Sequence, residues 1–157
     1  MTELERVRAL REAGQHAEHL AAARALVTDA PGDPSAQLEA AFAHDRADLE
    51  HDAIRFYDEA YRLGVPDSYR RRFTVGYGST LRNVGRIADA AAILTEALAR
   101  DAGYPAYAAF LALALLDAGQ PRAALAAMLR CALDAARPGV FEGYERALAE
   151  YRRELLG

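Results

Sequence analysis

The sequence predicts an all-α fold, an array of about four antiparallel helix hairpins closed by a C-terminal capping helix. Three observations carry that expectation. Ala dominates the composition, followed by Leu, Arg and Glu, all good helix formers, while β-branched residues are sparse. Apolar residues recur at helical spacing, as in Leu4, Val7 and Leu10, in Ile54, Tyr57 and Tyr61, and in Phe110, Leu113 and Leu116. Glycine and proline breakers then cut the chain at regular intervals into segments of ordinary helix length.

Nine helices follow in order. The first, about 2–13, carries the Leu4 stripe and stops at Gly14; the second, 16–29, stops before Pro31-Gly32. The third, 34–47, opens on Asp33-Pro34, an N-cap followed by Pro at the first helical position. The fourth, 50–63, holds the Ile54 stripe and ends at Gly64–Pro66; the fifth, 67–84, ends at Gly85. The sixth, 87–101, ends before Gly103–Pro105, and the seventh, 105–118, at Gly119. The eighth, 121–136, opens on Gln120-Pro121, a weaker cap before the same Pro placement. The ninth, 140–155, sets Phe141, Tyr144, Leu148, Tyr151 and Leu155 on one face and Glu142, Glu145, Glu150 and Arg153 on the other. Such a helix is expected to cover the apolar seam left by the last hairpin.

The breakers are periodic. Gly14, Asp48, Gly85 and Gly119 are separated by 34, 37 and 34 residues, and "GQHAEHLAAARAL", "DLEHDAIRFYDEA", "GRIADAAAILTEA" and "GQPRAALAAMLRC" start from them. A period of 34 with two helices per unit marks a helical repeat array; the three extra residues fall in "GVPDSYRR", a loop that tolerates insertion. The hairpins are thus expected at about 2–31, 34–66, 67–102 and 104–136, with the cap at 140–155, in one domain over 1–157.

Within the units, a turn residue is followed by small, large and small residues along the second helix. The series reads Asp48, Ala53, Tyr57, Ala60, then Gly85, Ala90, Leu94, Ala97, then Gly119, Ala124, Met128, Cys131. First helices carry Tyr77-Gly78 with Leu81, Leu111-Ala112 with Leu115 and, in part, Ala40-Ala41 with His44. This pattern resembles the tetratricopeptide repeat family over about residues 3 to 136. The first unit departs from it, since His19, Ala23 and Leu26 invert the small–large–small order, and no unit has the family's first-helix Trp. The resemblance implies a right-handed superhelix, an α-solenoid, whose concave groove takes an extended or helical peptide. It also implies small residues (Ala53, Ala90, Ala124) at helix crossings and large ones (Tyr57, Leu94, Met128) in the seams between units.

In that register the groove would be lined by Arg11 from the first unit and by Phe42, Asp45 and Arg46 from the second. Arg72, Ser79, Arg82 and Asn83 would follow from the third, and Phe110 and Leu113 from the fourth. An Arg-rich half beside an apolar half suits a partner protein or peptide bearing an acidic or carboxylate group. Solvated charges and packing under the cap account for the same residues without a ligand. Self-association through the apolar fourth-unit face is left open beside them. The chaperone-tail clamp of some members needs Asn and Lys at defined positions; this chain has no Lys and only Asn83, so that ligand is not carried over.

Net charge is -4, against the basic face of a nucleic-acid binder. All 19 basic residues are Arg, which reads as the coding bias of a high-GC bacterial genome. Cys131 is the sole cysteine, so no intrachain disulfide is expected, and its register position makes it a core residue. The start is charged and amphipathic, and "YPAYAAFLALALL" is too short and Ala-rich to span a bilayer, so a cytoplasmic protein without a membrane role is expected.

No catalytic site, cofactor or metal is expected. His16 and His19 sit at the i, i+3 spacing of a zinc pair, but no Cys lies near them, and the four His residues read as surface and hairpin-packing side chains. One stretch invites another reading. "RRFTVGYGSTLRNVGR" joins strand formers, Phe73-Thr74-Val75, to Gly76, Gly78 and Gly85 with Ser79 and Thr80 among them. That is the outline of a phosphate cradle, and the alternative function is a nucleotide-dependent enzyme or switch built on 76–85. The repeat register instead makes Gly78 the small residue of a first helix and Gly85 its end. Gly76 stays unexplained by the register, and a close approach by a bound ligand is the expectation there.

Overall fold

The computed structural model describes all 157 residues. It contains nine α-helices and no strand: α1 (Glu3–Glu12), α2 (His16–Asp29), α3 (Pro34–Arg46), α4 (Glu50–Leu63), α5 (Arg70–Asn83), α6 (Ile87–Arg100), α7 (Ala106–Asp117), α8 (Pro121–Ala135) and α9 (Glu145–Leu156). A 3-10 turn, Asp67–Tyr69, precedes α5. The chain divides into two compact units, Met1–Thr80 and Leu81–Gly157. No helix is long and apolar enough to cross a membrane.

The local signals act as the sequence anticipates. Thr2 and Glu5 form a reciprocal capping box on α1, with the Glu5 N–H donating to Thr2 Oγ1 at 3.1 Å and the Thr2 N–H to Glu5 Oε2 at 2.6 Å. Asp33 Oδ1 accepts from the Ser35 N–H at 2.9 Å, with Pro34 starting α3. The four periodic turn residues Gly14, Asp48, Gly85 and Gly119 all have positive φ, at 70°, 58°, 86° and 73°. Each is followed by the same long-reach bond, from the N–H of Gln15, Leu49, Arg86 and Gln120 to the carbonyl of Leu10, His44, Leu81 and Leu115. The turn residue's own N–H donates to Arg11, Asp45, Arg82 and Leu116 respectively. This is one Schellman motif made four times, and it turns the sequence period into a repeated backbone geometry. Asp48 is the member without glycine; Asp tolerates the left-handed region better than most residues.

In the N-terminal unit, Val7, Ala22, Ala23, Leu26, Ala36 and Ala43 form one buried cluster. Helix α3 is buried all round, from Ser35 to His44. An aromatic run continues the core, with Phe42 6.0 Å from both Tyr57 and Tyr69, and Tyr57 6.1 Å from Phe73. In the C-terminal unit the core is Leu94, Leu98, Tyr107, Leu111 and a set of alanines that includes Ala112, Ala124 and Ala127. Ala53, Ala90 and Ala124 are buried, as are Tyr57 and Leu94, but Met128 is 40% exposed and fills no seam. Cys131 is half-buried.

Two expectations are corrected. The last helix begins at Glu145, not 140, because Gly139, Glu142 and Gly143 adopt positive φ and break the segment before it. Phe141 and Tyr144 therefore precede α9, and Tyr144 and Tyr151 are exposed. Helix α9 is tied to α8 by arginines instead: Arg152 Nε donates to the Ala126 carbonyl, and Arg122 Nη2 to the Glu154 carbonyl at 3.0 Å, satisfying the last turn. The second correction concerns the glycine-rich stretch. Residues 71–76, expected as a strand in the nucleotide-loop reading, lie inside α5, so no strand–loop–helix cradle exists there.

Candidate functional site

Glu39 organises the N-terminal unit, and nothing in the sequence reading singled it out. Its carboxylate is fully buried on α3. Oε2 accepts from Arg11 Nε and from His19 Nε2, both at 3.0 Å. Oε1 accepts from Tyr69 OH at 2.8 Å and from Arg11 Nη2 at 3.3 Å. Tyr69 OH accepts in turn from Arg8 Nε at 2.6 Å, and the Arg8 guanidinium lies over the Tyr69 ring, 4.7 Å from its centroid. Burial pushes the Glu39 carboxyl up, but the bonds from His19, Arg11 and Tyr69 outweigh it and hold the group below the ordinary carboxylate range. The same surroundings push the Tyr69 hydroxyl up, chiefly through burial and the Glu39 charge, so it remains a donor. No buried side-chain polar atom lacks a partner. That a buried ionic network is fully paired meets the condition under which such networks are tolerated.

His19, expected at a surface or in hairpin packing, is thus a buried donor to Glu39. His44 is buried too, its Nδ1 2.7 Å from the Ala40 carbonyl, with Nε2 accepting from Arg24 Nε at 3.2 Å. His16 and His51 are exposed. No group of three or more His, Cys, Asp or Glu side chains converges to hold a metal.

Above Glu39 lies a pocket of about 140 Å³, lined by Arg11, His16, His19, Phe42, Arg46 and Arg72. Four of the ten residues assigned to the groove from sequence meet here: Arg11, Phe42, Arg46 and Arg72. Phe42 is the buried floor. The guanidinium of Arg72 lies 5.2 Å from its ring centroid and that of Arg11 5.7 Å, so one aromatic face orients two cations. Arg46 Nε donates to His16 Nε2 at 3.4 Å, a long contact that leaves its outer nitrogens open.

The remaining groove residues have other positions. Asp45 is half-buried; its Oδ2 accepts from Tyr57 OH and its Oδ1 from Thr80 Oγ1, both at 3.0 Å. Burial raises the Asp45 carboxyl, the two hydroxyl donors opposing it in part. Ser79 is half-buried on α5. Arg82 pairs with Asp117, Nε to Oδ2 at 2.5 Å, and Asn83 is exposed at the end of α5. On α7, Phe110 is half-buried and Leu113 exposed. The last four belong to the C-terminal unit.

Gly76 is corrected. A Cβ built there would stand 2.3 Å from the Tyr57 hydroxyl oxygen and 3.1 Å from its Cζ. The glycine makes room for a fully buried tyrosine anchored on Asp45, and a ligand has no part in it. Thr80, once a candidate cradle hydroxyl, is the second donor to that same Asp45.

One signal could have revealed Glu39. It is the lone carboxylate in "QLEAAFA", directly before the Ala40-Ala41 pair that the repeat register buries. A charge at such a position demands partners.

A family model described as "Tetratrico peptide repeat" matches residues 34–155, well over half of the chain. A search of curated proteins finds no match.

Proposed function

We propose, for a chain that belongs to the tetratricopeptide repeat family, a non-enzymatic protein–protein interaction module that captures an acidic group of a partner peptide in the Arg11–Arg46–Arg72 pocket. Interaction with other proteins is the role the family suggests in general. The acidic ligand is the finer reading, and it rests on one observation: three guanidiniums converge over the Phe42 ring in a protein whose net charge is -4. Elsewhere most arginines are matched to a carboxylate, often one helical turn away, as in Arg55–Asp52, Arg70–Asp67 and Arg86–Asp89. Arg46 and Arg72 make no ion pair. A guanidinium held in place by stacking presents its donors at little ordering cost, which favours a planar or tetrahedral oxyanion.

The test compares pull-downs from the native lysate with the wild type and with the Arg46→Glu, Arg72→Glu variant. Both residues are exposed, so the variant should keep its unfolding free energy within about 0.5 kcal/mol. Partners held by the wild type and lost on charge reversal support the pocket. An identical set on both proteins removes it as the binding surface.

A further inference from the structure

We infer that the group taken by this pocket is a phosphate monoester dianion, carried by a phosphorylated side chain of the partner; this rests on the acidic-ligand reading above. The charge balance points there. Arg11 is compensated beneath the pocket by Glu39, on which it holds a two-point grip, and at its rim by exposed Glu12 at 3.8 Å. Arg46 and Arg72 have no such partner, and two uncompensated charges remain. A single carboxylate neutralises one of them, whereas a phosphate monoester brings about 1.5 to 2 negative charges near neutral pH.

Donor chemistry agrees. Arg46 donating to His16 Nε2 puts the His16 proton on Nδ1 in the neutral ring. Both Glu39 oxygens, the nearest strong acceptors below the floor, are already occupied by Arg11, His19 and Tyr69. The Asp45 carboxylate is engaged by Tyr57 and Thr80 and does not line the pocket. The lining therefore offers the outer nitrogens of three guanidiniums, suited to an acceptor-only ligand with three or more oxygens. Size agrees as well. At about 140 Å³ the pocket is close to the cavity of about 150 Å³ known to hold a benzene ring, so a group of five or six heavy atoms fits. Phe42 at the base offers an apolar surface to the ester carbon.

The experiment follows the arginine Nε–H signals of the ¹⁵N-labelled full chain during titration. The probes are phosphoserine with acetyl and amide caps, inorganic phosphate, capped aspartate and succinate. Capped phosphoserine should shift the signals of Arg11, Arg46 and Arg72 saturably, and about tenfold or more tighter than capped aspartate. Arg46→Gln and Arg72→Gln should each abolish that preference while leaving the melting temperature in place. Succinate or capped aspartate binding as tightly as phosphoserine overturns the phosphate assignment and leaves the acidic-ligand reading standing. Binding of inorganic phosphate without binding of capped phosphoserine overturns the partner as its source. Silence of all three signals with every probe takes down this inference and the acidic pocket together.

Discussion

The two compact units solve the same packing problem with different materials. The N-terminal unit closes its interior around a carboxylate and a run of rings. Glu39, His19, His44, Gln37 and Thr80 are buried there beside Phe42, Tyr57, Tyr69 and Phe73. The C-terminal unit is built on alanine and leucine, and leaves Leu113, Leu116, Leu125, Val140, Tyr144, Tyr151 and Leu156 exposed. Small side chains let helices approach but bury little area each, so much of the large apolar surface there stays outside. The buried polar groups of the first unit contribute less to net stability than their number suggests, because each had to leave water. They do fix geometry: Arg11 reaches the pocket from a carboxylate that cannot move.

The contrast breaks first at Glu39. Glu39→Ala strands Arg11, His19 and Tyr69 and should cost about 3–5 kcal/mol in urea unfolding. A change at exposed Glu150 in the other unit should stay within about 0.5 kcal/mol. Acid gives a finer measure. The Glu39 carboxyl lies below its ordinary value of 4.5 in the folded chain, so the unfolded chain takes up the proton first. Its contribution is present above about pH 4.5 and is lost as pH falls through the folded value. Asp45 has the opposite sign, because burial raises it above 3.8, and the folded chain gains stability as that group protonates. Glu39→Gln should therefore flatten the acid limb of stability against pH, and Asp45→Asn should steepen it.

Gly76 and Tyr57 come next. Gly76→Ala drives a methyl into the Tyr57 hydroxyl and should cost about 1–3 kcal/mol, less the helix propensity regained. In a Tyr57→Phe background the cost should shrink, and a double-mutant cycle reads the coupling. Equal costs in both backgrounds would show that the hydroxyl is not what excludes a side chain. The smallest effect is expected on the exposed face of the C-terminal unit. Leu116→Ser and Leu125→Ser should each change unfolding free energy by less than about 0.5 kcal/mol. A larger loss from either would mean that this leucine surface is not free.

Asp48 shows how much a sequence can state alone. It takes the place of glycine in the repeat, and its backbone takes the same left-handed turn and the same pair of hydrogen bonds. That geometry depends on a handful of consecutive residues, so period and composition suffice to read it. The helix starts at Thr2 and Asp33 are local in the same sense. Where local signals conflict, tertiary packing decides. Phe73-Thr74-Val75 favours a strand in isolation, yet Phe73 and Thr74 are buried within α5.

The pocket divides along the same line. Repeat register assigned Arg11, Phe42, Arg46 and Arg72 to one surface, because side chains at a fixed helical phase share a face. It also assigned Asp45 there, which packing turned inward to Tyr57 and Thr80. Glu39 was beyond its reach altogether. Its partners lie 20, 28 and 30 residues away in the chain, and no spacing rule links them. Sequence alone therefore determined the helices, their turns and their period, which rest on short-range sterics and backbone bonding. Only the tertiary structure decided which charges are buried and paired and which stand open, because that depends on what distant side chains bring to the same few ångströms.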